Sequence, residues 1–339
     1  MNKFKMALLL PLVLASALVT QAVAQTTKDL SFQIVRSNLN AFDDQQLNLA
    51  FERVAERTGN QLKVRTIFAG ALPIESSEWL RAVGSGDLDM TMIVGDYHAG
   101  DFPLLGLLQT PFLFRNQVEK NLAINATYPI MQREANKRNV QLLTSVPFGE
   151  LGFWTTEPVE DISNMPGVKL RAQSKLLSDM VDAMGGEPVP VAWAEAYTAL
   201  QRGLVKGIFT GWESFTGAKL QEVAPYAHGT GLSNTAAYVG INKDIWDSLS
   251  PEVQAITMEE LGRAAVTIQA NVPKIIADQV SLQMASGLKG FQSNPGDAWF
   301  DRMAEKVGKP TLIEELERSG AVGEELIGVV EEAIGRKVR

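Results

Sequence analysis

The sequence predicts an α/β protein of two domains, and two observations carry that prediction. The chain has 339 residues, of which 45% are hydrophobic, so it can bury a sizeable core and exceeds the usual length of one domain. Runs rich in β-forming residues alternate with amphipathic helical runs over most of its length, which is typical of parallel β-α-β units. No like-charge or low-complexity run is long enough to indicate disorder.

Residues 1–24 have the pattern of a secretory signal peptide. Lys3 and Lys5 precede an apolar run from Met6 to Val19, and Ala22-Val23-Ala24 offers small residues for cleavage. The apolar run is shorter than the ~20 residues that a membrane anchor needs. We therefore expect a periplasmic protein with no membrane anchor after cleavage, because the chain also lacks a cysteine for lipid attachment.

The first domain is predicted to begin with strands separated by helices. Leu30 to Val35 alternates apolar and polar residues, and Leu62 to Phe68 is rich in β-forming residues. Leu88 to Val94 is almost continuously apolar, as expected for a strand in a sheet that is covered on both faces. The connecting helices are predicted from Asp43 to Arg57 and around Trp79, so the strands should pair in parallel.

The same alternation returns in the second half of the chain. A helical pattern from Pro251 to about Leu288 is broken only by Pro273 and is long enough to cross from one domain to the other. The segment 238–241 is predicted to be a strand that returns to the first domain. The other predicted strands are 140–146, 152–155, 168–171, 188–191 and 205–209, and the other predicted helices are 174–184, 193–201 and the tail from Asp297.

Composition and motif content argue against several classes of function. The formal net charge of −8 is the wrong sign for a nucleic-acid-binding surface. The chain has no cysteine, and neither His98 nor His228 has a companion at ligand spacing, so no metal centre is predicted. No Gly-rich phosphate loop is present, and we expect no cofactor. A hydrolase would need a nucleophile with a positioned base, and no nucleophile elbow is recognisable.

An ordered set of motifs resembles the DctP-like receptors of TRAP (tripartite ATP-independent periplasmic) transporters. The most specific stretch begins with PGVKLR at 166–171 and continues with AMGGEPVP at 183–190. Trp193, Glu195 and the ALQRG motif at 199–203 complete it. The resemblance extends over essentially the whole chain after the signal peptide. Further matching stretches are 68–70, 82–90, 111–114 and 242–246.

The resemblance implies a two-lobed periplasmic binding protein fold with crossed-over connections and a long inter-lobe helix. We accordingly assign residues 28–150 plus 236–275 to lobe I and residues 151–235 plus 276–339 to lobe II. It also implies a receptor and not an enzyme, which captures a small organic acid in the cleft and delivers it to a small and a large integral-membrane subunit. An ABC-type receptor and a periplasmic hydrolase are the alternatives.

Arg171 is the candidate anchor for the carboxylate of the ligand. It ends a predicted strand, and ligands of open α/β sheets bind outside the carboxyl ends of strands. Its planar guanidinium can form two parallel charge-assisted hydrogen bonds with a carboxylate. The position also matches the carboxylate-binding arginine of the family. An ion pair at the surface or between the lobes is the alternative role.

Two departures from the family pattern bear on the choice of ligand. Phe153 stands about where the family often carries a second arginine, and Thr210 replaces an asparagine, although its hydroxyl can still hydrogen-bond a ligand oxygen. These departures favour a monocarboxylate with a bulky, branched or aromatic body. A dicarboxylate or a keto acid is the alternative, in which Arg36 at the end of the first strand supplies the second cation.

The remaining candidate ligand contacts are aromatic or acidic. Trp154, Trp193 and Trp212 fall in segments that line the cleft in the family, and core packing is their alternative role. Tyr97 follows the third strand and is a candidate hydrogen-bond donor, with a solvated loop position as the alternative. Glu213 could approach a bound cation, as in relatives that bind a keto acid with a metal ion, and pairing with Lys or Arg is its alternative.

Overall fold

The computed structural model describes residues 27–36, 39, 41–147, 150–162, 164–172, 175–233, 236–292 and 296–339, and the predicted signal peptide at 1–24 lies outside them. Within this part of the chain, no helix combines the length and the apolar character needed to cross a membrane. The strands are β1 Lys28–Gln33, β2 Leu62–Ile67, β3 Met90–Val94, β4 Val140–Pro147, β5 Glu150–Thr155, β6 Lys169–Arg171, β7 Glu187–Val189, β8 Gly207–Gly211, β9 Tyr226–Ser233, β10 Ala236–Asn242 and β11 Gly290–Gln292. The α-helices are α1 Phe42–Arg57, α2 Trp79–Ser85, α3 Gly95–His98, α4 Pro103–Leu108, α5 Gln117–Asn136, α6 Lys175–Ala183, α7 Ala196–Gln201, α8 Trp212–Gly217, α9 Lys243–Asp247, α10 Pro251–Ala285, α11 Asp297–Met303 and α12 Lys309–Ile334.

The first sheet has the strand order β2-β1-β3-β10-β4 and forms lobe I. β1 pairs in parallel with β2 and β3, whereas β10 runs antiparallel to both β3 and β4. Successive residues of β3 point to opposite faces, so Met92 and Ile93 enter separate apolar clusters. The sheet is therefore covered on both faces, as the apolar run at 88–94 predicts.

The second sheet has the strand order β11-β9-β5-β8-β6-β7 and forms lobe II. β5 runs antiparallel to β8 and β9, and β6 runs parallel to β7 and β8. The neighbouring residues Phe153 and Trp154 in β5 join different apolar clusters, one with Leu170 and the other with Leu200. Apolar side chains thus pack on both faces of this sheet as well.

The chain crosses between the lobes at several places. It leaves lobe I after β4, returns to it at β10, and then crosses again along the 35-residue helix α10. The first part of α10 places Leu261 and Ile268 in the core of lobe I, and its last part packs Ile276 and Val280 against lobe II. The crossed-over two-lobed fold and the long inter-lobe helix are therefore confirmed.

The last helix departs from the predicted division of the chain. Residues 276–339 are assigned to lobe II from the sequence, but α12 packs against α4 and α5 of lobe I. Leu326, Ile327 and Val330 belong to the core of that lobe. The apolar stripe of an amphipathic helix decides which surface the helix covers, and the matching apolar surface here lies on α4 and α5. The chain therefore returns to lobe I between α11 and α12.

Phe112, in the loop after α4 of lobe I, packs against lobe II. It adopts a φ of 59°, which is rare for a residue other than glycine. Its ring centroid lies 5.2 Å from that of Trp299 and 5.4 Å from that of Phe300. Its neighbours Leu113 and Phe114 stay in the core of lobe I. This short loop therefore anchors its aromatic residues in both lobes.

The packing of α12 on lobe I predicts a large stability loss on truncation of Leu326. This side chain has no exposed surface, so Leu326→Ala should lower the free energy of unfolding by about 2–5 kcal/mol. Ile313→Ala on the same helix is the matched control, because Ile313 is 58% exposed and its truncation should cost about 0.5 kcal/mol or less. Urea unfolding measures both. Equal losses in the two variants would contradict the packing described for α12.

Candidate functional site

The carboxyl ends of strands from both lobes meet at one cleft. In lobe I, Arg36 and Tyr97 follow β1 and β3, and in lobe II, Arg171 ends β6 and Glu213 follows β8. The backbone N–H of Phe42 in lobe I donates a hydrogen bond to Glu213 at 3.2 Å, and Tyr97 lies close enough to Arg171 to influence its pKa. Ligands of open α/β sheets bind at such strand ends.

Arg171 lies at the base of this cleft and is held by both neighbouring strands. β6 pairs with β7 on one side and with β8 on the other, and the residue is 3% exposed. The Nε of Arg171 donates to the carbonyl oxygen of Val191 at 3.0 Å. Burial lowers the pKa of Arg171 to about 10, and Tyr97 opposes that shift. The side chain is therefore a cation held away from water at neutral pH, and a carboxylate brought to it would offset its desolvation.

Two aromatic side chains beside Arg171 remain open to solvent. Trp193 begins a 3-10 turn after β7, and its ring centroid lies 5.4 Å from the guanidinium carbon of Arg171. Trp193 is 41% exposed, and Tyr97 on α3 is 39% exposed. Their open surfaces place aromatic area next to a cation, which suits the flat or apolar body of a small acid.

Thr210 lies within β8, and Trp212 directly follows that strand. Both residues are largely buried. Thr210 is paired with Gly152 of β5. Trp212 begins α8, and its ring packs edge-to-face on Trp154 with the centroids 4.8 Å apart. Thr210 thus has only a small surface near the strand end, and the ring of Trp212 is directed towards the core of lobe II.

Phe153 and Trp154 are predicted to contact the ligand, but the structure buries both of them. Neither has any exposed surface. The ring of Phe153 stacks on Phe209 at 4.2 Å, on one face of the sheet. On the other face, the ring of Trp154 stacks on Phe215 at 4.0 Å. Both side chains therefore pack the interior of lobe II and do not border the cleft, because helices cover both faces of β5.

Gln283 and Gly152 position Trp154, and sequence reasoning missed both. Gln283 on α10 is fully buried, and its Oε1 accepts a hydrogen bond from the indole N–H of Trp154 at 3.0 Å. Its Nε2 donates to the carbonyl oxygen of Trp212 and to the hydroxyl of Thr216. A Cβ at Gly152 would lie 2.2 Å from the Trp154 ring. The available signal was a glycine two residues before a tryptophan, on the same face of a strand.

Arg36 is engaged by two carboxylates of its own lobe. Its Nη1 lies 2.9 Å from Asp43 and 2.8 Å from Asp44. Burial acts to lower the pKa of Arg36, but the two carboxylates outweigh burial and raise it. Burial raises the pKa of Asp44 to about 7, whereas the charge of Arg36 acts to lower it. The cation that the dicarboxylate alternative requires as a second clamp is therefore paired with two carboxylates within lobe I.

Glu213 contacts the other lobe. Its carboxylate accepts the hydrogen bond from the N–H of Phe42, the first residue of α1. Burial and the charge of Asp43 raise the pKa of Glu213, whereas the Phe42 N–H and Arg36 act to lower it. Across the ranges that the structure describes, no group of three or more His, Asp or Glu side chains is arranged to hold a metal ion.

The fold and the cleft define a two-lobed solute-binding protein, and a family model agrees. Residues 41–294 match the model DctP, described as bacterial extracellular solute-binding protein, family 7. The chain belongs to this family, whose members are TRAP-type periplasmic solute-binding proteins.

Individual relatives are similar over most of the chain. The C4-dicarboxylate-binding periplasmic protein DctP of Rhodobacter capsulatus is 26% identical over 287 residues, which cover 77% of this chain and 83% of that protein. A TRAP periplasmic solute binding protein from Desulfovibrio salexigens with bound orotic acid has a TM-score of 0.82 at 21% identity, covering 91% of this chain and 98% of that one. DctP7 of Bordetella pertussis, a receptor binding pyroglutamic acid, has a TM-score of 0.81 at 18% identity and covers 90% of this chain and 100% of that one. The two structures support the fold.

The raised pKa of Asp44 predicts a pH dependence of stability. An exposed aspartate has a pKa of about 3.9, so folding takes up a proton at Asp44 between about pH 4 and pH 7. The free energy of unfolding should therefore fall as pH rises through this window, by at most ~1.4 kcal/mol per pH unit. Asp44→Asn removes the titrating group and should flatten this slope.

Urea unfolding at pH 5, 6, 7 and 8 measures the effect. Asp29→Asn, at an exposed position of β1, is the control and should keep the slope of the unsubstituted protein. If Asp44→Asn keeps that slope too, the assignment of the buried proton to Asp44 is wrong.

Proposed function

We propose that this protein is a periplasmic receptor that captures a small organic acid by its carboxylate and delivers it to the membrane subunits of a TRAP transporter. The observation that carries the proposal is the buried guanidinium of Arg171 at the carboxyl end of β6, beside the open rings of Trp193 and Tyr97. Membership of the family supports this receptor class over an ABC-type receptor, and binding over hydrolysis.

Binding in this proposal depends on charge and closure. Arg171 takes the carboxylate in two parallel hydrogen bonds, while its Nε stays on the carbonyl oxygen of Val191. Tyr97 and Thr210 donate further hydrogen bonds, and Trp193 covers the apolar part of the ligand. Closure of the lobes excludes water from the ion pair, and the attraction between the charges strengthens as the local dielectric falls.

The proposed ligand is a monocarboxylate with a flat or bulky body. Two features of the cleft favour it: Trp193 and Tyr97 offer aromatic surface, and Arg36 is neutralised by Asp43 and Asp44. The structural relatives that bind orotic acid and pyroglutamic acid take ring compounds with one carboxylate. The relative from Rhodobacter capsulatus binds C4-dicarboxylates, and a dicarboxylate or keto acid is the alternative for this chain.

A thermal-shift screen tests the ligand class. The panel comprises pyroglutamate, orotate, benzoate, succinate and 2-oxoglutarate. A ligand present at ~100 times its dissociation constant adds roughly 2.7 kcal/mol of stability, which gives a clear rise in melting temperature. We expect the rise with a ring monocarboxylate. A rise with succinate or 2-oxoglutarate alone would replace the monocarboxylate assignment by the alternative.

Substitution of Arg171 tests the anchor. Arg171→Ala should weaken binding of the acid found in the screen by about 100- to 1000-fold, because removal of one partner leaves a carboxylate buried without its counter-charge. The melting temperature without ligand should change little. Isothermal titration calorimetry measures the affinity, and Arg202→Ala, an exposed arginine after α7, is the control that should bind normally. Affinity retained in Arg171→Ala would refute the anchor.

Delivery is tested with the membrane partners. The receptor is added to proteoliposomes that contain the small and large TRAP subunits encoded with it. We expect uptake of the bound acid to need an ion gradient and to proceed without ATP. Absence of uptake by the TRAP subunits, together with ATP-dependent uptake in parallel proteoliposomes that contain an ABC transporter, would favour the ABC-type alternative.

A further inference from the structure

Helix α1 begins without a capping side chain of its own. The first N–H groups of a helix have no partner within the helix, and Ser, Thr, Asp or Asn at the preceding position commonly supplies one. Ala41 occupies that position and makes no side-chain hydrogen bond. The N–H of Phe42 is instead bonded at 3.2 Å to the carboxylate of Glu213, which stands in lobe II and is separated by 171 residues of sequence.

The surroundings of Glu213 make this contact sensitive to charge. Asp43 and Asp44 lie in the first turn of α1, and both contact Arg36. Contact between the lobes adds Glu213 as a third carboxylate beside this one guanidinium. The start of a helix and Arg36 both attract the added charge, whereas the two aspartates repel it.

Separation of the lobes would break this contact and leave each lobe intact. Lobe I keeps its ion pairs between Arg36, Asp43 and Asp44, because all three residues lie on β1, α1 and the segment between them. Lobe II keeps Trp212 in its core, and Glu213 would be returned to water. The contact thus differs between the closed and open arrangements while the packing of each lobe does not.

We propose that Glu213 is a closure residue, which caps helix α1 across the cleft and holds the two lobes together in the closed arrangement. This inference rests on the proposed receptor function and adds the residue that stabilises its closed state. It also gives Glu213 a role as a hydrogen-bond acceptor for the protein's own backbone in place of a role as a cation ligand.

Distances between the lobes test the proposal in the ligand-free protein. The chain contains no cysteine, so Lys63→Cys and Glu187→Cys provide unique sites for a pair of spin labels. Both positions are exposed, and they lie on the edge strands β2 and β7, each remote in strand order from the strands through which the chain changes lobe. Double electron–electron resonance then reports the fractions of short and long distances.

The expected results separate the hydrogen bond from the charge. Glu213→Ala should reduce the ratio of closed to open protein by about tenfold, which corresponds to one hydrogen bond with a charged partner. Glu213→Gln keeps an acceptor oxygen for the Phe42 N–H and should keep the closed population. Lys175→Ala is the control, because the exposed pair of Lys175 with Glu314 of α12 also joins lobe II to a helix of lobe I and should contribute little.

A pH series provides a readout that a purely structural role would not change. The titratable and charged groups that face Glu213 are Arg36, Asp43 and Asp44. Because the pKa of Asp44 is raised to about 7, loss of its proton adds repulsion towards the Glu213 carboxylate, and the closed population should fall as pH rises from 6 to 8. Glu213→Gln should weaken this dependence.

Two results would overturn the proposal. One is an unchanged distance distribution in Glu213→Ala, and the other is an equal loss of closed protein in Glu213→Gln and Glu213→Ala. Both are observed without ligand, so failure of the closure residue is distinguishable from failure of carboxylate binding, which the calorimetry of Arg171→Ala reports separately.

Discussion

The candidate site depends on a cation that folding removes from water. Arg171 is placed by the register of β6 between β7 and β8, and its Nε is fixed by the carbonyl oxygen of Val191. The protein therefore holds the guanidinium in place before a ligand arrives. Part of the desolvation and ordering that an ion pair requires is then met by folding, which is the physical basis of preorganised binding.

A second, partly buried arginine near the cleft has a different environment. Arg36 is surrounded by Asp43 and Asp44, so its charge is balanced within lobe I. The pKa of Arg171 is lowered by burial, whereas that of Arg36 is raised by its carboxylates. Two arginines at equivalent strand ends thus differ in environment because of their neighbours, and residue type alone does not reveal this.

Much of the fold follows from periodicity in the sequence. The apolar run that became β3, the alternation in β1 and the long pattern that became α10 each reflect burial on a sheet face or along a helix stripe, and such local patterns are read directly. The lobe that α12 joins could not be read in this way. An apolar stripe specifies that a helix is covered, but the surface that covers it is set by the rest of the chain.

The site was predicted less completely for a related reason. The end of a strand before a helical segment makes Arg171 a candidate, since strand ends collect ligands irrespective of tertiary detail. Phe153 is predicted near the ligand because it stands about where the family often carries an arginine, and Trp154 because its segment lines the cleft in the family. Their burial comes from packing on the two faces of β5, and on one face Gln283 of α10 hydrogen-bonds Trp154 from 129 residues away in the sequence. Glu213 and Phe42 are likewise brought together only by the contact between the lobes.

Apolar contacts between the lobes differ in character from the polar contact at the strand ends. Phe112 packs its ring among aromatic residues of lobe II, and α10 runs through the cores of both lobes, so these connections are apolar and persist. At the strand ends, the contact is a hydrogen bond to a carboxylate, for which water is a good substitute. In the proposed closure, opening exchanges this polar contact for hydration at a small free-energy difference. A ligand shifts such an equilibrium by its differential affinity for the closed state, and Arg171, which borders Tyr97 of the other lobe, is the residue that we propose supplies that difference.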